Sequence, residues 1–374
     1  MKKKYFNINR YKNLIIVIIV CLFWFSLTII SWINPAKDIS ESERRKLEQL
    51  PRLELQSMLS GKFMKNFEEY AKDQFPGRFG LRKLKAFTRF YLLSQKDNNG
   101  IYIEDDYAAK LEYPLNESSI HTANDKFRYL YEKYMFDKDV KLYFSVIPDK
   151  NYYSGAQKGY PSMDYEQLFR MVRDGTDYAR YIDITDMLSL EDYYRTDIHW
   201  RQENIDKIAK KIGSELGIAD YLSPDFETVK VDDPFYGVYY GQSALPLKPD
   251  QIIYLTNDTI KNCTVYNVES DSITPVYDLE KLEGRDPYDV YLSGASPLLI
   301  IENPAAKTDR ELVVFRDSFG SSLVPLLLEG YSRVTMVDIR YITSDSLGSY
   351  IEFNNQDVLF LYSTTILNSA VMLR

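Results

Sequence analysis

The apolar and polar positions divide the chain into one long N-terminal apolar run, several amphipathic helices and a series of short apolar strands. The apolar run covers residues 14–33 without a charged side chain, and about 20 helical residues cross the hydrocarbon of a bilayer. Basic residues at positions 2–4, 10 and 12 favour an N-terminus inside the cell. We therefore predict a cytoplasmic tail at 1–13 and a transmembrane signal anchor at 14–33. A cleaved signal peptide is the alternative, although residues 34–36 form a poor cleavage site.

Amphipathic helices are predicted after a charged juxtamembrane linker at residues 34–58. One apolar face recurs at helical spacing around Phe67 and a second around Leu84. Residues 73–78 interrupt them with proline and glycine, which mark a turn. A third helical pattern surrounds Phe127.

Short apolar runs then replace the helical spacing, and each is bounded by polar or turn residues. They occupy residues 140–147, 181–184, 297–301, 312–315, 334–339 and 358–362. Helical patterns at 203–216 and 321–328 lie between them. Near-continuous apolar strands that alternate with helices indicate an α/β domain whose sheet is covered on both faces. We predict one extracytoplasmic domain at 59–374, with an irregular insertion at about 221–290 that includes some strands.

Composition narrows the classes of function. The formal net charge is −8, which argues against a nucleic-acid partner. The two cysteines lie far apart, at Cys21 and Cys263, so no disulfide framework is expected. With only two histidines and no cluster at metal-ligand spacing, neither a metal site nor another cofactor is predicted. The 32 tyrosines suit stacking on sugars, although most tyrosines in any domain simply pack.

A serine follows the apolar strand at 312–315 and precedes a helical pattern. Ser318 is thus placed at a strand-to-helix turn, where α/β folds present a nucleophile. The free N–H groups at a helix start suit a developing oxyanion. A serine that only caps the helix is the alternative.

A second segment supplies a base and an acid. Serine needs a base such as His199 to take its proton, and the base needs an orienting group such as Asp197. In an extended segment these two residues point to the same side. Trp200, the only tryptophan outside residues 14–33, has the bulk to form a wall of the site. A surface aspartate and a packed histidine are the alternative, and His121 is interpreted as a surface or boundary residue.

These segments resemble a known group of proteins. The Thr-Asp-Ile-His-Trp segment at 196–200 and the Arg-Asp-Ser-Phe-Gly segment at 316–320 look like motifs of the DHHW family. They are also similar to motifs of alginate O-acetyltransferase proteins with SGNH-hydrolase-like domains. Residues 42–47 with 50–51, residues 73–78 and residues 148–150 resemble further parts of the DHHW pattern.

The resemblance implies a three-layer α/β/α domain in which Asp197, His199 and Ser318 form a catalytic triad. The Asp-x-His segment precedes the serine, so the motif order looks circularly permuted relative to ordinary SGNH hydrolases. Arg316 stands where the usual Gly-Asp-Ser block has glycine. No Gly-x-Asn-Asp segment supplies an asparagine oxyanion donor, so the backbone N–H groups of Ser318 and Gly320 are the substitute candidates.

Other residues near these motifs are candidates for further roles. Lys150 follows a strand and is a candidate to contact an anionic or hydroxylated substrate, with a solvated lysine as the alternative. Trp200 and Arg316 complete the set of candidate substrate-binding or oxyanion residues. Asp317, beside the serine, is interpreted as a structural residue that holds the turn.

Three functions follow from these patterns. The first is an O-acetyltransferase or esterase that acts on cell-surface or exported polysaccharide; by analogy with the resembling proteins, a membrane-bound acyl-exporting partner would supply the acyl group. The second is a carbohydrate-binding module whose triad turns over poorly. The third is a structural subunit of an envelope complex that docks through the helices at 60–95.

Overall fold

The computed structural model describes residues 8–40 and 42–374, and these divide into two compact units at Ser94/Gln95. The basic side chains at positions 2–4 and 10, and the ring of Trp32, lie outside the described set. The helices of unit 1 are α1 (Ile8–Ile33), α2 (Leu55–Leu59), α3 (Lys62–Asp73) and α4 (Arg78–Phe87), and its strands are β1 (Ile39–Ser40) and β2 (Arg45–Lys46). A π-helical turn at Thr88–Leu92 extends α4.

Unit 2 contains the remaining elements. Its helices are α5 (Glu117–Tyr134), α6 (Lys150–Ser154), α7 (Tyr165–Gly175), α8 (Asp206–Leu216), α9 (Val238–Ser243), α10 (Asp258–Asn262), α11 (Gly320–Leu323) and α12 (Thr364–Leu367). Its strands are β3 (Ile101–Glu104), β4 (Tyr107–Lys110), β5 (Lys141–Ile147), β6 (Arg180–Tyr181), β7 (Glu227–Phe235), β8 (Asp250–Thr256), β9 (Thr264–Asn267), β10 (Ser272–Pro275), β11 (Leu298–Glu302), β12 (Glu311–Arg316), β13 (Arg333–Val337) and β14 (Asp357–Ser363).

The helix α1 matches the predicted apolar run. Its segment Tyr11–Ser31 is long and apolar enough to cross a membrane by length and composition, with a mean hydropathy of 2.9. A signal sequence near the N-terminus has the same properties. The structure therefore supports an N-terminal apolar helix.

An eight-stranded mixed sheet organises unit 2 in the order β10-β9-β11-β13-β12-β14-β5-β6. The five strands from β13 to β6 are mutually parallel, whereas β11 pairs antiparallel with both β13 and β9. Strand β12 lies between β13 and β14 and is parallel to both. Because the carboxyl ends of parallel neighbours share one edge, the residues that follow β12, β14 and β5 meet there.

Both faces of this sheet are covered. Leu312 and Val314 of β12 belong to one hydrophobic core, together with α8 and the segment after α11. Val313 and Phe315 belong to a second core, together with α5 and α7. Alternate residues of one strand thus enter opposite cores, which explains the near-continuous apolar pattern and gives the predicted three layers.

The predicted irregular insertion is more ordered than its sequence pattern indicated. Strands β9 and β10 form a hairpin, and β9 pairs with β11 to extend the central sheet. Strands β7 and β8 form a separate antiparallel pair. The predicted strand at 181–184 is reduced to the two residues of β6, and the predicted helix at 321–328 is α11 followed by a 3-10 segment at Val324–Gly330.

Candidate active site

Ser318 lies in the tight turn between β12 and α11 and is half-buried. Asp317 holds this turn, because its Oδ1 accepts a hydrogen bond from the Phe319 N–H at 3.0 Å. The Oδ2 of the same carboxylate accepts from the N–H of Ser363, at the end of β14, at 2.7 Å. The turn is therefore tied to the neighbouring strand, and Asp317 has the structural contacts that its sequence position suggested.

Asp197 and His199 lie in a tight loop rather than in the predicted extended segment. The Asp197 Oδ1 accepts hydrogen bonds from the backbone N–H of His199 at 3.1 Å and from its ring Nδ1 at 2.6 Å. The Oδ2 accepts from the N–H of Val238, the first residue of α9, at 2.8 Å. The Asp197 carboxylate folds back onto the backbone and ring of His199. The two side chains therefore meet because the loop is tight, and not because alternate residues of a strand share one side.

The structure brings Ser318 to this pair. The His199 Nε2 lies 2.7 Å from the Ser318 Oγ, although 119 positions separate the two residues. An ionised carboxylate only accepts hydrogen bonds, so Asp197 assigns the proton of the neutral imidazole to Nδ1. The free Nε2 then accepts from the serine hydroxyl. This arrangement can remove a proton from Ser318 and stabilise the imidazolium that forms.

Polar contacts with Asp250 and a close approach by Gly237 hold the loop that carries Asp197. The Asp250 carboxylate accepts from the N–H groups of Arg195 and Thr196, both at 2.8 Å, and from the Thr196 hydroxyl at 2.5 Å. Gly237 approaches the same loop so closely that an added Cβ would lie 2.3 Å from the Asp197 Cβ. The loop is thus held by both side-chain and backbone contacts.

Lys150 lies beneath this loop rather than at its surface. Its side chain is buried, and its Nζ donates to the carbonyl oxygens of Tyr194 at 2.9 Å and Arg195 at 3.4 Å. Burial lowers the pKa of Lys150 to about 7, against the opposing effect of nearby carboxylates that include Asp197 and Asp250. These contacts show a residue that supports the loop, and its contact with a substrate stays a prediction.

Two other candidate residues, Trp200 and Arg316, also pack behind the triad. Trp200 is fully buried, contacts the Phe319 ring edge-on and donates from Nε1 to the Ser322 Oγ at 2.8 Å. Arg316 is buried, with its Nη1 on the Ser321 Oγ at 3.1 Å. Its Nε and Nη2 have no hydrogen-bond partner among the described residues. All of these residues shape the turn from behind.

The two predicted oxyanion donors differ in their hydrogen bonding. The Gly320 N–H is engaged by the Asp317 carbonyl oxygen at 3.1 Å. The Ser318 N–H has no hydrogen-bond partner within residues 8–40 and 42–374. Ser318 therefore remains the more accessible of the two donors, and its role stays a prediction.

Sequence reasoning missed Tyr288, whose ring lies parallel to the His199 imidazole with centroids 3.8 Å apart. It also missed the anchoring role of Asp250 and the close approach of Gly237. Tyr288 stands in a stretch of weak periodicity among 32 tyrosines, so no local pattern singled it out. Proline and glycine punctuation near 234–237 was the one available signal for a tight approach.

The remaining predicted features concern residues away from the triad. His121 is exposed on α5, as its sequence position suggested. Both cysteines are free thiols, and Cys263 is buried. Within the part of the chain that the structure describes, no group of three or more His, Cys, Asp or Glu side chains is placed to hold a metal ion.

Comparisons with known proteins decide the fold. No protein-family model and no curated protein matches the sequence, but solved structures do. A DHHW family protein from Eubacterium siraeum is similar over 72% of this chain and 93% of its own, with a TM-score of 0.58 and 20% identity. The chain shares the fold of a DHHW family protein. This likeness confirms the suspected resemblance and the predicted SGNH-hydrolase-like α/β fold.

Two further solved structures are similar to this DHHW-type fold. PatB1 of Bacillus cereus, solved with a sulfonyl adduct, matches 71% of this chain and 95% of its own, with a TM-score of 0.55 and 19% identity. The O-acetyltransferase domain of Pseudomonas putida AlgJ matches 72% of this chain and 92% of its own, with 12% identity. Its TM-score is 0.43. At these identities the comparisons show the fold alone.

Proposed function

We propose that the chain is an extracytoplasmic O-acyltransferase or esterase in which Ser318 carries the acyl group. The observation that carries the proposal is the continuous relay from the Asp197 Oδ1 through His199 to the Ser318 Oγ, with contacts of 2.6 and 2.7 Å. A surface aspartate and a merely packed histidine would not converge on a half-buried serine at a strand-to-helix turn. The same geometry is what nucleophilic catalysis of acyl transfer requires.

The reaction divides into two balanced steps. In the first, the Ser318 Oγ attacks the acyl carbonyl, the His199 Nε2 takes the hydroxyl proton, and the leaving group departs with that proton. In the second, an acceptor hydroxyl or water attacks the acyl-Ser318 carbonyl while His199 takes its proton, which then returns to the Ser318 Oγ. Asp197 holds the imidazole and stabilises its charge in both steps. The Ser318 N–H is the proposed donor to the oxyanion.

The proposed acyl group is acetyl and the proposed acceptor is a polysaccharide outside the cell. The resemblance of the motifs at 196–200 and 316–320 to alginate O-acetyltransferase proteins supports both. A pair of aromatic side chains near the triad also suits a sugar. Tyr236 is exposed, its ring centroid lies 4.5 Å from that of Tyr240, and the adjacent Gly237 N–H donates to the Thr196 Oγ1 at 2.8 Å.

The helix α1 is proposed to anchor the chain in the cell membrane, with residues 1–13 inside and unit 2 outside. Support comes from the apolar segment Tyr11–Ser31 and from the basic residues that precede it. Acetyl donors do not diffuse freely outside cells. The proposal therefore includes a membrane partner that exports the acyl group to Ser318.

The test is covalent labelling of full-length protein in detergent. PatB1 forms a sulfonyl adduct, so a sulfonyl fluoride and an activated acetyl ester are suitable probes. Mass spectrometry should place the sulfonyl or acetyl group on Ser318, and Ser318→Ala should abolish that label. Ser293→Ala is the control, because Ser293 is also half-buried but its Oγ contacts Thr274 and Asp278 rather than a histidine. His199→Ala should cost about as much turnover as Ser318→Ala, and the double variant little more.

A binding module is the second candidate, and one observation favours it. The Gly320 N–H is already engaged within the turn, and the sequence lacks the asparagine donor of related motifs. A site that cannot stabilise an oxyanion would hold a glycan without turning it over. Glycan binding by a chain that no probe labels at Ser318 would select this reading and exclude the enzyme.

A further inference from the structure

Unit 1 carries a helix pair, α3 and α4 with its extension to Leu92, that presents an apolar surface to solvent. Spacing of three and four residues puts Leu81, Leu84, Phe87 and Tyr91 on one face of the second helix. These side chains, with Leu92, are between 48% and 69% exposed. A folded domain does not usually leave such a row of large apolar side chains in water, so this face is an interaction surface.

The helix pair is tied to the end of the apolar helix α1. The Gln74 Oε1, just after α3, accepts from the Lys37 N–H at 2.9 Å, and its Nε2 donates to the Lys37 carbonyl oxygen at 2.9 Å. Lys37 lies only four residues beyond the last residue of α1, Ile33, which limits the separation to about 14 Å. If α1 crosses the membrane, the turn between α3 and α4 lies at its surface.

A second set of contacts fixes the start of α4 to the same juxtamembrane segment. The Arg45 guanidinium donates to the Asp73 carboxylate at 2.8 and 2.5 Å. Glu43 forms an ion pair with Arg78, and its Oε1 lies 3.3 Å from the Arg82 Nη1. The helix pair is therefore held against residues 37–48 at several points rather than by a single flexible linker.

The charge of the second helix decides which partner fits. Residues 78–92 contain five basic residues and no acidic residue, in a chain whose net charge is −8. Lys83 and Lys85 are exposed. Basic residues beside an apolar helical face are typical of helices that lie in the headgroup region of an anionic membrane.

A groove between the two helices supports a lipid over a protein partner. This open groove has a volume of about 460 Å³. Its lining consists of Ala71, Phe75, Leu81, the basic residues Lys72, Arg78, Arg82 and Lys85, and Glu68, which pairs with Lys72 at 2.9 Å. The apolar side chains and the long stems of the basic residues form a surface for an acyl chain, and the exposed Lys85 is the basic residue of this groove that suits a lipid phosphate.

We infer that residues 62–92 lie on the anionic surface of the membrane, with the face of Leu81, Leu84, Phe87 and Tyr91 sunk among the lipids. This inference rests on the proposed membrane anchor. It gives unit 1 a second contact with the bilayer besides α1, and this contact holds residues 62–92 close to the membrane plane. The expected depth of such a helix is about 5–10 Å into the interface.

The test uses full-length protein in vesicles of phosphatidylglycerol and phosphatidylcholine. In a Cys21→Ala background, in which Cys263 stays buried, single Leu84→Cys and Asn66→Cys variants carry an environment-sensitive NBD label. Lipids with a nitroxide near the headgroup should quench most of the Leu84 emission and little of the emission from position 66, which is exposed on α3 but does not line the groove. Lys83→Glu with Lys85→Glu, or vesicles of phosphatidylcholine alone, should reduce the quenching at Leu84.

A label at Leu22→Cys in α1, read with a nitroxide at the bilayer centre, separates the inference from the anchor. Quenching at Leu22 without quenching at Leu84 would overturn the inference and leave the anchor intact. Absence of quenching at both positions would overturn both. An unquenched Leu84 label whose emission shifts only when other membrane proteins are present would replace the lipid with a protein partner. Quenching at Leu84 that is the same in the Lys83→Glu, Lys85→Glu variant and in vesicles of phosphatidylcholine alone would show that anionic lipid is not required.

Discussion

His199 and Tyr288 lie face to face, with ring centroids 3.8 Å apart and ring planes 5° from parallel. The Tyr288 hydroxyl is 2.8 Å from the Ser322 Oγ, which also accepts from the Trp200 Nε1 at 2.8 Å. Trp200 directly follows His199. Ser322 therefore holds both rings of the stack, Tyr288 by direct contact and His199 through its neighbour Trp200. An aromatic face attracts a cation, and Tyr288 therefore favours the imidazolium that forms when His199 takes the serine proton.

Replacing Tyr288 should slow the reaction of Ser318 only when the substitution removes the aromatic ring that stacks on His199. Tyr288→Phe keeps the face and loses only the contact with Ser322, so labelling of Ser318 should stay within a few-fold of the parent rate. Tyr288→Leu removes the face. Aromatic pairs contribute about 0.5–1.5 kcal/mol, which corresponds to a loss of about two- to tenfold. The rate of acetyl-ester turnover measures both variants.

Tyr277 supplies the matched control for Tyr288. It is buried in the same insertion and donates to the Leu255 carbonyl oxygen at 2.6 Å, and its ring neighbours are Tyr254 and Tyr291. Tyr277→Leu should destabilise the fold without a specific loss of Ser318 reactivity. Equal loss of turnover per folded molecule in the two leucine variants would show that the stack on His199 has no role of its own.

The strands of the central sheet were predictable because both faces of the sheet are buried. Val313 and Val314 enter opposite cores, so their strand reads as a continuous apolar run. The hairpin of β9 and β10 escaped prediction because it lies at the sheet edge, where exposed positions such as Ile273 alternate with half-buried ones. Burial on both faces, rather than strand length, decided which elements the sequence pattern revealed.

The residues of the triad were predictable in identity, but the way in which they meet was not. Asp197 and His199 are close in sequence, and the chemistry of serine required a base and an acid. Their contact comes from a loop held by Asp250 and Lys150, whose tertiary partners have no signature in the local sequence. Lys150 supports the loop because its side chain is buried. The position of a charged residue after a strand does not predict such burial.

Asp197→Asn should leave the loop in place and abolish most turnover. The two carboxylate oxygens accept from the backbone and ring N–H groups of His199 and from the backbone N–H of Val238. An amide NH₂ must face one of these donors and favours the wrong imidazole tautomer. Losses on the order of 10⁴ in kcat follow the corresponding change in serine proteases. Acetyl-ester kinetics test this, with the exposed Asp232→Asn as the control; activity near the parent level in Asp197→Asn would exclude the triad.

Gly237→Ala should displace the loop that holds Asp197. The new Cβ would lie 2.3 Å from the Asp197 Cβ and 2.4 Å from the Thr196 carbonyl oxygen, and backbone atoms have to move to accept it. Overpacking of this kind costs about 1–3 kcal/mol. Thermal unfolding and Ser318 labelling should both show the change. Gly80→Ala is the same substitution in open space within α4, where alanine should stabilise the helix slightly and leave Ser318 labelling unchanged. Full labelling in Gly237→Ala would contradict the tight contact.

Lys150→Met should change how stability depends on pH. Burial lowers the pKa of Lys150 to about 7 in the folded chain, and an unfolded lysine titrates near about 10.4. Between these values the unfolded chain binds more protons, so this lysine makes stability rise with pH by at most about 1.4 kcal/mol per unit. Urea unfolding should therefore show that the stability of the parent relative to Lys150→Met increases from pH 7 to 10. The exposed Lys210→Met should show no such trend, and a flat difference for Lys150→Met would mean that its ammonium is not desolvated.

Tyr236 offers a way to separate acyl transfer to a sugar from simple hydrolysis. Its ring is exposed and lies beside that of Tyr240, next to the glycine that contacts the triad loop. A sugar acceptor would use this aromatic pair, whereas water would not.

Tyr236→Ala should accordingly raise the KM for an oligosaccharide acceptor by about three- to tenfold, the equivalent of a lost contact of about 1 kcal/mol. Hydrolysis of a small acetyl ester should stay unchanged, because the variant leaves Ser318, His199 and Asp197 in place and removes only acceptor binding. Tyr350→Ala is the control, since Tyr350 is similarly exposed outside the insertion. Acceptor kinetics in which both alanine variants behave like the parent would exclude sugar binding at the aromatic pair and favour water as the acceptor.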